Sequence, residues 1–173
     1  MKSFSITLLL FCTTVAMHAQ NKDTVNQYNS KSASSEEYIS LLTGYNGGTY
    51  HFIELGVSVN RYSIVGTHPI SMAYFISNEI KLDNKIVIGP KVGLWAAGGA
   101  AGTGIGLNLI YYTDFDNSSL RLRPEVGIGP GPFKIAYGYN IALTNKSFER
   151  INTHNASLVV FWKLKKLQPT YHQ

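Results

Sequence analysis

The sequence predicts an all-β fold, an antiparallel up-and-down barrel of about eight strands closed around a narrow polar interior. Three observations predict it. The first is the segment Leu120-Arg121-Leu122-Arg123-Pro124-Glu125-Val126-Gly127-Ile128, in which every even position is apolar and the odd ones are Arg, Arg, Glu and Gly. Successive side chains of a strand point to opposite faces, so one face is greasy and the other charged or small. The second is recurrence. Alternating segments of about ten residues, the length of a barrel strand, follow one another from Tyr50 to Leu164. The third is composition. Charged residues make up 14% of the chain, against about 25% in soluble domains, while Gly (16) and Tyr (11) are frequent.

The first 19 residues read as an export signal. Lys2 is the positive region, an apolar core runs from Ile6 to Ala16, and Ala19 precedes the expected cut. Met17 is an imperfect match to the small residue expected there. Leu9-Leu10-Phe11-Cys12 faintly resembles a lipoprotein box, but bulky Phe11 beside Cys12 argues against lipidation. Cys12 is the only cysteine, so the processed chain carries neither disulfide nor thiol chemistry. Residues 20–35 are polar and are expected to form a flexible lead-in. Residues 36–167 are expected to form the barrel and 168–173 a tail.

Each strand is justified by its own alternation. Residues 38–43 give the first, followed by the turn Gly44-Tyr45-Asn46-Gly47-Gly48; their alternation is poor, and a short helix is the competing reading. In 51–61, Ile53, Leu55, Val57 and Val59 oppose Glu54, Gly56, Ser58 and Asn60. In 69–80, Ile70, Met72, Tyr74 and Ile76 oppose Ser71, Ala73, Ser77 and Glu79, with Phe75 out of pattern. In 85–96, Ile86, Ile88, Val92 and Leu94 oppose Gly89, Lys91, Gly93 and Trp95. In 104–113, Ile105, Leu107, Leu109 and Tyr111 oppose Gly104, Gly106 and Asn108. The segment at 119–128 comes next. In 133–143, Phe133, Ile135, Tyr137, Tyr139 and Ile141 oppose Lys134, Ala136, Gly138, Asn140 and Ala142. In 154–164, Leu158, Val160, Trp162 and Leu164 oppose Asn155, Ser157 and Lys163.

Turn residues punctuate the series at 65–66, 82–84, 97–99, 114–117 and 129–131, with a longer loop at 144–153. Seven strands are clear; the 38–43 segment supplies the eighth. Residues 92–112 carry no charge over a helical bilayer span, but six glycines make that helix costly, and a turn at 97–99 splits the stretch into two strands.

Composition also separates a membrane barrel from a soluble one. A soluble barrel turns an apolar face inward and shows many Lys and Glu outside. Here the polar face is mostly Gly, Ala, Ser and Asn, which suits a narrow interior. Tyr50, Tyr62, Tyr111, Tyr112, Tyr137, Tyr139 and Trp162 are candidates for an interfacial aromatic girdle. The polar faces place Glu54, Glu79, Glu125, Lys91, Arg121, Arg123 and Lys134 in the lumen. Mixed acid and base in so small a space predicts a pairing network that plugs the barrel. A gated passage for an ion or small solute and a ligand site at one mouth are the alternatives.

The sequence offers little catalytic chemistry. His68–Ser71 and His154–Ser157 are three apart, which places each pair on opposite faces of a strand and denies it a local dyad. No metal site is expected, since no two His stand at ligand spacing, and Asp114 with Asp116 reads as a turn. Gly104-x-Gly106 lies within a strand, so it is no phosphate loop. No cofactor is expected. The net charge of +5 is concentrated partly in Lys163, Lys165 and Lys166, a solvated end rather than a nucleic-acid surface.

The signal ending Ala19-Gln20, the alternation from Tyr50 to Leu164 and the final strand Asn155-Ala156-Ser157-Leu158-Val159-Val160-Phe161-Trp162 together resemble the small outer-membrane β-barrel proteins of Gram-negative bacteria. The chain departs from them in running past the terminal aromatic to Gln173. In size and alternation it also resembles lipid A deacylase barrels, but it lacks their His-x-Ser arrangement. The resemblance implies a transmembrane barrel in the outer membrane with both ends in the periplasm. Its partners would be outer-membrane lipid and, during insertion, the barrel-assembly machinery. The expected role is structural or interactive, within or outside a larger envelope complex, without catalysis. A narrow pore, a lipid-modifying enzyme or a soluble periplasmic ligand-binding barrel are the alternatives.

Overall fold

The computed structural model describes residues 35–65, 68–81, 83, 85–129 and 131–167. Among them are nine strands: β1 (Ser35–Gly47), β2 (Phe52–Val65), β3 (His68–Lys81), β4 (Ile88–Gly98), β5 (Thr103–Thr113), β6 (Ser118–Ile128), β7 (Phe133–Tyr139), β8 (Ile141–Ala142) and β9 (His154–Leu167). All pairings are antiparallel. The order runs β5-β4-β3-β2-β1-β9-β7-β6-β8, and β5 also pairs with β6, so the hydrogen bonds form a ring. The strands β7 and β8 are one chain path broken at Asn140. Both pair with β6, at Glu125↔Gly138 to Ile128↔Ile135 and at Arg121↔Ala142 and Leu122↔Ile141.

One rim of the ring, the upper, carries the connections at 48–51, 114–117 and 143–153 and the β3–β4 connection. The lower rim carries the start of β1, the end of β9, and the connections at 99–102 and between β6 and β7.

Alternation explains the layering. In β5 the pattern of exposure is strictly alternate from Thr103 to Tyr112, with Gly104, Gly106, Asn108, Ile110 and Tyr112 inside. Phe75 obeys parity after all; it is buried with Ser71, Ala73 and Ser77. Midway along the long strands the outward residues are mostly large and apolar, and many of them are exposed. The inner core is correspondingly split. Leu42, Ala73, Phe75, Trp95, Ala97, Ala136, Val159 and Phe161 fill the lower half. Phe52, Val87, Ile110, Tyr112 and Phe148 fill the top.

The 38–43 segment is a strand, as expected. Several other sequence expectations need correction. That strand is longer than expected, running through the expected 44–48 turn to Gly47. Its twelve-pair ladder with β2 supplies the order that its weak alternation does not advertise. It also starts at Ser35, inside the expected lead-in. Residues 97 and 98 are strand, and the β4–β5 turn is 99–102, where Gly99 (φ 80°) and Gly102 (φ 59°) take left-handed conformations that glycine adopts without strain. The β6–β7 partner strand is interrupted rather than continuous to 143. The export signal, nearly all of the lead-in, the 168–173 tail and the turn residue Gly66 lie outside the described residues.

The ring closes through a narrow passage. A Cβ on Gly127 would sit 2.0 Å from the Ile135 carbonyl oxygen and 2.6 Å from Ala136 Cα, whereas one on Gly131 would meet nothing within 4 Å. Backbone cannot yield as a flexible side chain does. Gly127→Ala is therefore expected to cost about 1–3 kcal/mol, read from urea unfolding by tryptophan fluorescence, and Gly131→Ala close to nothing. Equal losses at the two positions would refute this steric account.

Candidate functional site

The interior is built by parity. Glu54 from β2, Glu79 from β3, Lys91 from β4, Arg123 and Glu125 from β6, and Lys134 from β7 all occupy inward positions, and each is 5% exposed or less. Lys91 Nζ stands 2.6 Å from Glu54 Oε1 and 2.9 Å from Glu79 Oε1. Arg123 forks onto Glu79, with Nη1 donating to Oε1 at 2.7 Å and Nη2 to Oε2 at 3.1 Å. The planar guanidinium matches a carboxylate in this two-bond mode, which a lysine cannot reproduce. Lys134 Nζ donates to Glu125 Oε2 at 2.7 Å. Three carboxylates thus face three cations, the arrangement a water-excluding interior requires, since an isolated buried ion costs several kcal/mol.

Neutral groups complete the network. Tyr112 donates its hydroxyl proton to Glu79 Oε2 and accepts from Arg123 Nη2. Glu54 accepts from Ser77 Oγ at 2.7 Å and from Asn46 Nδ2 at 2.9 Å. Arg123 Nε donates to Asn140 Oδ1 at 2.9 Å, and Asn140 Nδ2 donates to the Asn152 carbonyl at 2.6 Å. Asn140 therefore uses the break between β7 and β8 to tie the network to the upper loop. Below, Lys134 Nζ lies 5.3 Å from the Phe75 ring centroid and 5.2 Å from that of Trp95. Lys91 Nζ lies 5.5 Å from Phe75 on the same ring, so Phe75 bridges the two ionic groups.

Arg121 is the correction among the expected lumen charges. It points inward and is 7% exposed, but it joins no ion pair among the described residues. Its Nε donates to Ser119 Oγ at 2.9 Å and its Nη2 to the Phe148 carbonyl at 3.3 Å. It lies one inward position nearer the upper rim than Arg123, and there it holds the loop rather than a carboxylate. That loop folds back over the ring. Phe148 packs with Phe52, Val87, Ile110 and Tyr112, and Tyr50 and Ile151 pack against them. Asn152 anchors it by accepting from the Tyr50 backbone N–H at 2.8 Å and donating to the Tyr50 carbonyl at 2.7 Å. The interior thus has an apolar cap, a paired ionic tier and an apolar lower tier.

The aromatic assignments also change. Tyr112 belongs to the lumen, Tyr50 to the cap, and Tyr62 points inward at the lower rim, half-buried. Tyr111, Tyr137, Tyr139 and Trp162 are exposed on the outer face. The two His/Ser pairs lie across the wall from each other. His154 is exposed and hydrogen-bonded to the Tyr137 hydroxyl, while buried Ser157 donates to the Ala136 carbonyl. His68 is exposed, and buried Ser71 donates to the Gly129 carbonyl. Among the described residues no three His, Cys, Asp or Glu gather as a metal would need. Comparison with known proteins finds no family model, no curated protein and no solved structure that matches this chain.

The Glu125–Lys134 pair allows a clean test. Lys134→Met strands a buried carboxylate and is expected to cost about 3–5 kcal/mol, whereas adding Glu125→Leu should restore most of that loss. Unfolding free energies of the two variants measure it; a double variant less stable than the single would contradict the pairing account.

The upper rim carries an exposed charge tether. Lys85 Nζ stands 2.9 Å from Asp114 Oδ2 and 3.4 Å from Asp116 Oδ2, beside a cavity of about 300 Å³ also lined by Asn145, Phe148 and Arg150. The hydrogen bond from Lys85, then the Asn117 backbone N–H, hold the Asp114 carboxyl below the ordinary aspartate range. A lowered carboxylate value means that the tether is in place above the ordinary range and is lost as pH falls through the lowered one. Loss of protection of the Asn117 amide, measured against its intrinsic exchange rate, as pH falls below the ordinary aspartate range, and absent in Asp114→Asn, is the expected signature. A protection factor at Asn117 that stays constant through that fall would exclude the tether.

Proposed function

We propose that this chain is a small integral outer-membrane β-barrel with a sealed interior. It would serve as a structural or interaction element of the envelope rather than as a pore or an enzyme. The observation that carries the reading is an inversion of polarity. Leu55, Val57, Tyr74, Ile76, Val92, Leu107, Val126, Ile135 and Leu158 are exposed on the outer face of successive strands, while the paired charges are inside. A monomer in water rarely exposes a contiguous apolar patch beyond a few hundred Å². A belt around the whole ring fits hydrocarbon instead. Strands of 11 to 14 residues in β1–β6 and β9 meet or exceed the roughly 9–11 needed to cross a bilayer.

Three polar pairs on the outer face support the same reading because their members satisfy one another. Trp162 Nε1 donates to Thr43 Oγ1 at 2.8 Å. Tyr45 bonds His51 and Tyr137 bonds His154, near the upper rim. Unsatisfied, such groups would be costly in lipid. The outward charges Glu37, Arg61 and Lys165 sit at the lower rim. Because both described ends of the ring lie on that rim, it would face the periplasm, and the long 143–153 loop would lie outside the cell. A soluble ligand-binding barrel would need the opposite polarity.

The cap and the ionic tier argue for a closed interior. The full chain is therefore expected in the outer-membrane fraction, and in planar bilayers it should give no conductance above background. Stable recovery in the soluble periplasm would overturn the membrane reading; discrete channel openings would overturn the sealed interior and favour the narrow pore.

A further inference from the structure

We propose that the lower rim at β9, β1 and β2 binds an anionic phospholipid, with its phosphate on Lys163 and Lys165 and an acyl chain in the adjoining groove. The proposal rests on the membrane reading above.

The lower rim is electrically lopsided. Among the described residues, Arg61, Lys163, Lys165 and Lys166 share the lower ends of three neighbouring strands with only Glu36 and Glu37. The described residues of the other arc, 99–102 with 129, 131 and 132, are Gly, Ala and Pro and carry no charge. The two carboxylates are already engaged. Glu36 accepts from Lys166 Nζ and from the Tyr38 hydroxyl. Glu37 stands 3.7 Å from Arg61. Among the described residues, Lys163 and Lys165 take part in no ion pair.

These two lysines straddle the wall. The register slips between Ile39 and Ser40, so that Ser40 faces Lys163 and Ile39 faces Lys165. Directly opposed residues share a face. Ser40 points inward and Ile39 outward, which sends Lys163 to the mouth and Lys165 to the outer surface. Lys163 is held ready: its Nζ lies 4.2 Å from the Tyr38 ring centroid and 4.9 Å from that of Tyr62. Contact with two rings holds the ammonium at the mouth without pairing it to a carboxylate.

Lipid is the occupant because of what adjoins Lys165. Ile39, its register partner, begins an apolar groove of about 530 Å³ on the outer face, lined further by Val57, Val59, Tyr74, Ile76 and Val92. The groove carries almost no polar surface, so a free phosphate or an acidic peptide would leave it empty. One molecule with a negative headgroup and an acyl chain fills both parts.

The test reconstitutes the full chain into vesicles of equal phosphatidylglycerol and phosphatidylcholine and counts retained lipid by native mass spectrometry. Wild type should keep phosphatidylglycerol in preference. Lys163→Gln/Lys165→Gln should reduce that preference by about tenfold or more, whereas Lys146→Gln at the upper rim should leave it unchanged. Val57→Trp, which fills the groove, should lower retention of both lipids. On wild type alone, raised salt should erase the preference, which keeps the test independent of how the variants fold. Insertion with equal retention of the two lipids overturns this proposal alone; failure to insert into either vesicle overturns the membrane reading beneath it.

Discussion

The fork of Arg123 on Glu79 is the strut on which the interior depends. It joins β6 to β3, two walls separated in the ring by β4 and β5, at 2.7 and 3.1 Å. The polar groups around Glu79 follow from it, while Glu125 and Lys134 form a second pair beside it. Lys91 neutralises the acid that Arg123 leaves shared with Glu54, Tyr112 fills the gap between guanidinium and carboxylate, and Asn140 takes the remaining Nε proton. A low-dielectric interior makes such a set nearly all-or-none, because removing one partner leaves another charged and bare.

Space for that strut comes from the smallest side chains. A Cβ on Gly138 would lie 2.8 Å from Arg123 Cδ and 2.9 Å from its Cγ, so the arginine stem crosses the lumen over a glycine. Trp95 is accommodated in the same way, since a Cβ on Gly106 would sit 2.9 Å from its ring. A narrow ring can hold Arg, Lys, Trp and Phe together only where the facing wall is bare. The high glycine content and the large inward residues are thus two halves of one packing solution.

Period two made much of this legible in sequence. Seven strands, their inward faces and the inward placement of all seven expected lumen charges follow from alternation alone, and the structure gathers six of the seven into paired clusters. What alternation could not read is equally specific. It assigns Arg121 and Arg123 to one face but cannot tell that one meets a carboxylate and the other a loop carbonyl, because height in the lumen depends on register. In Tyr111-Tyr112 parity sends one ring out and one in, and a girdle motif hides that split. Phe148 sits in a polar loop with no periodicity, so its insertion into the cap had no local signal. The first strand was obscured because Ser40, Leu42, Gly44 and Asn46 form a mixed inner face, stabilised by its neighbours on both sides rather than by its own pattern.

A filled interior also constrains where such a protein could act. Cap, ionic tier and lower apolar tier are stacked inside, and the exposed His51 and His154 lie on the outer side near the upper rim. On the reading proposed above, recognition would fall to the rims and the outer face. The two rims differ in kind. The upper one is a polar loop surface whose bulkiest exposed residue, Phe115, holds a left-handed backbone (φ 73°) inside the Asp114–Asn117 turn. A β-carbon makes that conformation unfavourable, so the turn's hydrogen bonds from Phe115 N–H to Thr113 and from Asn117 N–H to Asp114 must hold it. The lower rim instead concentrates cations beside apolar surface. Ring symmetry would distribute charge evenly; this chain gathers it where β1 and β9 meet, and that asymmetry gives the ring a side as well as a top and a bottom.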